Sequence, residues 1–402
     1  MNNKTTAKTG VCIAATDIGA THVRCAVVTC DNGTGDNDGE MQCRVHRKEA
    51  LCHDGPDGTV VTRQVIRMIQ AACNEAGRTP DAVGISTAGP LSSKKKSIRK
   101  SPNMPYADIP LREPLEAAFS CPVFILNDAS AGAYNEYRRG SREGEREREK
   151  VRGRNGDGDK EGDSGSERER EKVRGRNGDR DKEGDSGSER EQKRDGGRDG
   201  YRDQEDRDQE DRDKGGQGCR NLVYLTLSTG IGCGVISDGR LLDGLNGNAG
   251  EAGHFCVDTA YDLPCGCGGR GHWEAYASGS GMPQFYRAWY ERHGSKPPTG
   301  KTYTPKTLCA AAHAGDPDAI AFFRDLAQIN GRGLSTIIAA YAPELIIVGG
   351  PVATENPDLV VEQARRYVDR YLPMPEIVLS NADGMGPLMG AAVFARDCLG
   401  DC

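Results

Sequence analysis

Aromatic residues are scarce in this chain of 402 residues: they make up 5%, and hydrophobic residues as a whole reach only 36%. Spread evenly, such a shortage would leave little to pack. It is not even. The segment Ser141–Gly218 is nearly all Arg, Glu, Asp, Gly, Lys, Gln and Ser, and the 324 residues outside it are enough for two α/β domains with their own cores. Also missing is any run of about twenty apolar residues, which excludes a transmembrane helix. The first ten residues carry no apolar core of the kind a signal peptide needs, so a cytoplasmic location is expected. There is no basic excess either. The formal net charge is −7, and nucleic-acid binding usually shows a basic surface.

Cysteine is plentiful, at 15 residues. In a long chain without a secretory leader, cysteines read as free thiols or metal ligands rather than a disulfide framework. Cys12, Cys25, Cys30, Cys233 and Cys309 sit in apolar runs and are expected to be small core residues.

The charged segment contains a repeat. EREREKVRGRNGDGDKEGDSGS begins at Glu145 and recurs from Glu167, with Arg180 standing where the first copy has Gly158. RDQED follows from Arg202 and again from Arg207. Its 22 Lys and Arg nearly balance 26 Asp and Glu. Lacking an apolar face to stack, it is expected to be a disordered insertion in a surface loop, although closely alternating Glu and Arg also allow a solvated helix.

Outside that block one pattern occurs twice. Val11–Thr16 and Val23–Cys30 read as a strand pair around Asp17-Ile18-Gly19-Ala20-Thr21, and Asn221–Leu227 and Cys233–Ser237 as another around Ser228-Thr229-Gly230-Ile231-Gly232. Helices and strands then alternate after each pair. Helices are expected over Val60–Ala76, Leu111–Phe119, Ala129–Arg138, Leu308–Ala314, Asp318–Arg324, Leu326–Tyr341, Pro357–Arg370 and from Leu388. Strands are expected at Asp81–Ser86, Pro122–Leu126, Leu345–Val348 and Glu376–Leu379, with a loop over Leu91–Pro110. Two α/β domains with a cleft between them follow from this order.

The densest chemistry lies between Thr226 and Ser278. Glycine turns at Gly19, at Gly230 and Gly232, and at Gly349-Gly350 can offer backbone N–H groups to phosphate. Glycine can equally serve a hairpin's conformation alone. Asp17 beside such a turn suits Mg²⁺ held through water, or is only a turn former. His254, Cys265, Cys267 and His272 have the ligand types and closeness that tetrahedral Zn²⁺ takes, or belong to a glycine-rich loop with incidental cysteines. Asp128, between a buried strand and a helix, is a candidate general base or a helix cap. The near-miss phosphate loop SKPPTGKT at Ser295–Thr302 has Ser where glycine is required, and no strand leads into it.

These motifs resemble the ROK family of sugar kinases, in the hexokinase, actin and Hsp70 superfamily. Leu227–His254 fits the family's pattern, as do Asp17–Thr21, Ser101-Pro102-Asn103, Asn127-Asp128-Ala129, Glu251-Ala252-Gly253-His254 and Glu274. The resemblance implies two actin-like domains. The smaller spans 1–126, joined by a C-terminal helix at 388–402; the larger spans 127–387 and carries a zinc loop at 254–272. It implies transfer of phosphate from ATP to the 6-hydroxyl of a hexose, with glucose foremost and N-acetylglucosamine, N-acetylmannosamine, fructose and allose as alternatives. Polyphosphate is an alternative donor. Asp128 would be the base, and Asn103, Asn127, Glu251, His254 and Glu274 would hold the sugar. Asp17, Gly19, Thr21, Thr229, Gly230, Gly232, Gly349 and Gly350 would serve ATP and Mg²⁺. Zn²⁺ on His254, Cys265, Cys267 and His272 would be structural. A homodimer or homotetramer is implied. Three features depart from the pattern: His272 stands where the last zinc ligand is usually Cys, Tyr106 and Ala107 stand where the sugar loop usually has Gly and Trp, and the charged block is foreign. The family also contains transcriptional repressors, whose helix-turn-helix domain precedes the first phosphate motif. Here about ten residues precede the strand that leads into it, fewer than such a domain takes.

Overall fold

The computed structural model describes residues 10–30, 41–101, 104, 106–140, 218–294, 296, 302–381 and 384–400. The charged repeat, Asn103, Asp383 and most of the near-miss phosphate loop lie outside the described residues.

Two five-stranded sheets share one plan. In the first, β1 (Val11–Ile18), β2 (His22–Cys30), β3 (Met41–Ala50), β4 (Ala82–Thr87) and β7 (Val123–Asn127) run in the order β3-β2-β1-β4-β7. The order in the second is β10-β9-β8-β11-β12, from β8 (Leu222–Leu227), β9 (Ile231–Ser237), β10 (Arg240–Leu241), β11 (Leu345–Gly349) and β12 (Glu376–Leu379). In both sheets the first three strands are antiparallel and the later ones parallel to the first. The twofold pattern read from the sequence is therefore a repeated sheet. Parallel strands need crossovers, and helices supply them.

Each sheet is covered on both faces. α1 (Thr59–Ala76) and α2 (Arg112–Phe119) cover one face of the first sheet, with Val61, Val65, Met68, Ile69 and Leu115 buried against Val27, Val83 and Ile85. The last helix, here α9 (Gly386–Gly400), covers the other face through Leu388, Ala392 and Ala395. The second sheet packs on α7 (Pro317–Tyr341) and α5 (Met282–Arg292), where Trp273, Tyr276, Phe285, Phe322 and Phe323 form the largest core. Its other face takes the helix over 128–140, α3, through Ala133. The scarce aromatic residues are thus concentrated in one core. α3 and α9 cross so closely that a Cβ at Gly390 would lie 1.8 Å from the Ala131 carbonyl oxygen. The cysteines expected in the core are there: Cys12, Cys25, Cys30, Cys233 and Cys309 are all buried.

Several expectations need correction. The two helices read over 318–341 are one 25-residue helix, capped by the Asp316 side chain. The 357–370 segment is a π turn at Asp358–Glu362 followed by a 3-10 turn at Ala364–Tyr367, not a regular helix. The 91–110 loop holds a short ladder, β5 (Ser97–Arg99) with β6 (Asp108–Pro110). β3 and α5 had no strong signal. Much of β3 is exposed, so its apolar alternation is weak, and α5 carries three aromatic residues with polar tips, Tyr286, Trp289 and Tyr290. No described helix is long and apolar enough to cross a membrane.

Candidate active site

Equivalent strand ends of the two sheets face one another across a cleft of about 340 Å³. Most of the candidate residues line it: Asp17, Gly19 and Thr21 from the first turn, Asn127 and Asp128 from the end of β7, Thr229, Gly230 and Gly232 from the second turn, then Glu251, His254, Glu274 and Gly350. Gly349 lies behind this wall. It is packed on Tyr224, whose hydroxyl oxygen would stand 2.4 Å from a Cβ there.

The helix start after β7 bears on the two alternatives for Asp128, base or cap. Asn127 Oδ1 accepts from the Ala129 N–H at 3.0 Å, the bond that an N-cap makes. Asp128 Oδ1 accepts from the same N–H at 2.8 Å. The neutral side chain caps the helix, and Asp128 lines the cleft at the positive end of α3. Burial nevertheless pushes the Asp128 carboxyl above the ordinary carboxylate range, and Glu274 adds to this. Asp17 is pushed up to about 6, first by burial and then by the charge of Asp128. Ser86 donates Oγ–H to Asp17 Oδ1 at 2.8 Å and offsets part of that rise. Glu251 is also raised, by burial, with Asp128 and Glu274 contributing and His254 opposing. Several acids pressed together in one cleft are at ease only when a cation or a proton joins them.

The second turn is fixed from behind. Gly279 N–H donates to the Ser228 carbonyl at 2.7 Å, Ser280 Oγ–H to the Thr229 carbonyl at 2.8 Å, and Ser228 N–H to the Gly230 carbonyl at 2.9 Å. With these carbonyls occupied, and with no acceptor for the Thr229 and Gly230 N–H groups among the described residues, the turn can give those donors to an anion. Glu274 Oε2 accepts from the Ile231 N–H at 2.9 Å, which ties the start of α4 (Glu274–Ala277) to the end of the turn. Gly350, at φ +85°, holds a backbone conformation that suits only glycine and lies against Leu227, leaving no room for a side chain.

Behind the cleft, His254, Cys265, Cys267 and His272 each place a ligand atom within 4.8 Å of the others. His254 Nδ1 is 3.7 Å from Cys265 Sγ, and His272 Nδ1 is 3.2 Å from Cys267 Sγ. Zinc bonds of about 2.0–2.3 Å put tetrahedral ligand atoms roughly 3.3–3.8 Å apart, so this donor set fits the ion with small adjustments. The His272 imidazole fills the position in which the family pattern has a thiolate. His254 turns its other nitrogen to the cleft, with Nε2 3.7 Å from Glu251 Oε2.

Two residues that line the cleft, Arg24 and Tyr224, and two that support its wall, Ser86 and Asn248, escaped the sequence reading. Ser86 sits opposite Asp17 in the β1–β4 register. Arg24 reaches the Gly384 carbonyl and lowers Asp17 by its charge. Tyr224 lines the cleft and packs on Gly132 and Gly349. Asn248 bonds to the opposite wall. The strand register, once known, would have pointed to both Ser86 and Arg24, which flank Asp17; no local motif marks the other two.

The profile of the ROK family matches residues 13–148 and 209–398. The chain belongs to the ROK family. A glucokinase of Pyrobaculum calidifontis is 30% identical over 320 residues, covering 78% of this chain and 79% of its own. The fold matches a ROK hexokinase from Thermus thermophilus, with a TM-score of 0.64 at 24% identity over 98% of this chain and all of that one. It also matches a ROK family glucokinase from Streptomyces griseus solved with glucose and AMPPNP, with a TM-score of 0.60 at 24% identity over 96% of this chain and 99% of that one.

Proposed function

We propose that the chain is an ATP-dependent hexose kinase that phosphorylates the sugar 6-hydroxyl, with glucose as the first substrate to test. The observation that carries the reading is the placement of Asp128. It stands in one cleft with Asp17 and with two glycine turns able to bind phosphate. Glucokinase relatives, one of them 30% identical, support the choice of glucose.

In this reading the Asp128 carboxylate takes the proton of the 6-hydroxyl as that oxygen bonds to the γ-phosphorus. The bond from γ-phosphorus to the β,γ-bridging oxygen breaks, and ADP leaves with the electron pair. Little covalent work falls to the protein, so position and charge decide the rate. Asn127, Glu251, His254 and Glu274 hold the sugar hydroxyls, with Asn103 added from the family pattern. Thr229 and Gly230 give N–H donors to phosphate, with Gly232 in the strand directly behind them and Gly19 and Thr21 facing them, and Gly349-Gly350 lies toward the adenosine. Mg²⁺, when bound, neutralises phosphate charge, and Asp17 is the residue to hold it through water. A Zn²⁺ ion on His254, Cys265, Cys267 and His272 would be structural, fixing the His254 ring so that its second nitrogen serves the sugar. The smaller lobe is 1–126 with the last helix, the larger 127–387, and their closure excludes water from the transferring phosphate.

A coupled assay over glucose, N-acetylglucosamine, N-acetylmannosamine, fructose and allose, with ATP or polyphosphate as donor, tests this directly. Phosphorylation of none of them would overturn it and would turn attention to the regulators of the family.

A further inference from the structure

The loop after β4 and the loop leading to Glu251 belong to different lobes, and one side chain joins them. Asn248 Oδ1 accepts from the Leu91 N–H at 2.7 Å, and Asn248 Nδ2 donates to the Leu91 carbonyl at 3.0 Å. The amide thus serves both backbone groups of one residue, as a neighbouring strand would. Leu91 is buried, at 4% exposure, and follows a cis Gly89–Pro90 bond. The clasp sits at the sugar end of the cleft. A Cβ at Gly89 would lie 3.1 Å from Asn127 Nδ2, 3.3 Å from Glu251 Oε1 and 3.8 Å from Asn248 Oδ1. Further out, Lys95 Nζ pairs with Asp243 Oδ1 at 2.6 Å, and Lys94 N–H reaches Asn246 Oδ1 at 3.4 Å.

We propose that Asn248 is a positioning residue: it clasps the Leu91 segment to the Glu251 segment and so couples hexose binding to the approach of the two lobes. This rests on the kinase reading above. The chemistry calls for a carboxamide, because only Asn and Gln carry a donor and an acceptor side by side. Aspartate would keep the bond from the Leu91 N–H but face its carbonyl with a second acceptor. Leucine would fill the space and leave two buried backbone groups unpaired. The clasp is remote from the transferred phosphate, so its loss should appear in sugar affinity and not in turnover.

The test uses the full chain with glucose. It compares calorimetric Kd, KM and kcat, the melting temperature, and amide exchange in the peptide that contains Leu91. Asn248→Leu is expected to raise Kd and KM about tenfold, the scale of one or two ordinary hydrogen bonds, with kcat within about threefold of wild type. Glucose should slow exchange at Leu91 in the wild type and fail to do so in the variant. Asn248→Asp, which keeps one bond, should fall between, and Lys95→Ala, which removes the outer ion pair with half-exposed Asp243, should shift KM by about twofold. An unchanged KM in Asn248→Leu, or a fall in kcat at constant KM, would overturn the proposal. Should Asn248→Leu not fold, Asn248→Asp decides by the same two measures. If the wild type binds no hexose of the panel, the kinase reading fails instead. Exchange at Leu91 in the ligand-free chain then judges the clasp, and equal rates in wild type and variant would sink it.

Discussion

The two glycine turns occupy the same place in two sheets of the same order, yet they are built for different work. The first carries a carboxylate. Asp17 stands near the end of β1, between Ser86 on one neighbouring strand and Arg24 on the other. The second carries no acid. Its charge partners come from a separate segment: Glu251 and Glu274 flank the Cys- and His-bearing loop, and Ser280 and Gly279 hold the turn's carbonyls from behind. In the proposed reading, one sheet plan serves a cation at the turn where the acid is part of the strand, and an anion at the turn where the backbone is pinned from behind. The fold supplies two positions, and what is attached behind each decides its charge.

The largest expected effect breaks the centre between the two turns. Asp128→Asn keeps the shape and the Ala129 contact but cannot accept the proton. We expect kcat to fall by about 10²–10⁴, the range that general-base catalysis contributes, with glucose Kd and melting temperature close to wild type. A variant that keeps more than a tenth of the wild-type rate would remove the base assignment. Next in size is the brace behind the second turn. Cys265→Ser, or treatment with a strong chelator, should lower bound zinc from one ion per chain toward none, reduce the melting temperature by several degrees, and raise glucose KM more than ATP KM. Metal analysis that finds no zinc in a fully active wild type would end the metal reading.

How far the sequence reached follows the same division. Features made by contiguous residues were legible. The Asp17–Thr21 turn, the Thr229–Gly232 turn, Asn127-Asp128 and the His254–His272 loop each announce themselves within a short stretch, because backbone geometry and ligand spacing are local. α1 was legible down to its left-handed Gly77 cap. What escaped is made by pairs far apart in the chain. Ser86 meets Asp17 across 69 positions and Asn248 meets Leu91 across 157, and neither Ser nor Asn marks its own role. β3 escaped for another reason. It is an exposed edge strand, so burial never wrote an alternating pattern into it.

Asp17 lets the cost of the first turn be measured apart from its use. Its folded pKa, about 6, is raised above the ordinary value of 3.8. The folded chain therefore favours the protonated form: the associated stability is full below about pH 4 and is lost as pH rises through 6. Asp17→Asn removes that loss. The ligand-free variant should melt higher than wild type at pH 7.5, by roughly 1–2 kcal/mol once the open face of the cleft is allowed for, and about equally at pH 4. Its activity with Mg²⁺ and ATP should fall all the same. A variant less stable at pH 7.5 would show that Asp17 is a structural turn former.

The smallest effect sharpens the comparison most, because it reaches the first turn through a single hydrogen bond and the second not at all. Ser86→Ala removes the hydrogen bond that lowers Asp17 and leaves burial and Asp128 to raise it. Protonated Asp17 cannot hold a cation, so kcat/KM should already fall toward acid pH below about 6 in the wild type. In the variant that acid limb should move to higher pH by less than about one unit, as the loss of one hydrogen bond to a carboxylate warrants. The plateau at pH 8 should be nearly unchanged, where Asp17 is ionised in both proteins. Nothing in the second sheet answers to Ser86, since the second turn has no carboxylate to tune. A substitution such as Ser280→Ala, which loosens the Thr229 carbonyl, should therefore lower the plateau without moving the limb. If both variants moved the limb alike, the two turns would share one ionisation and the division of labour drawn from their surroundings would be wrong.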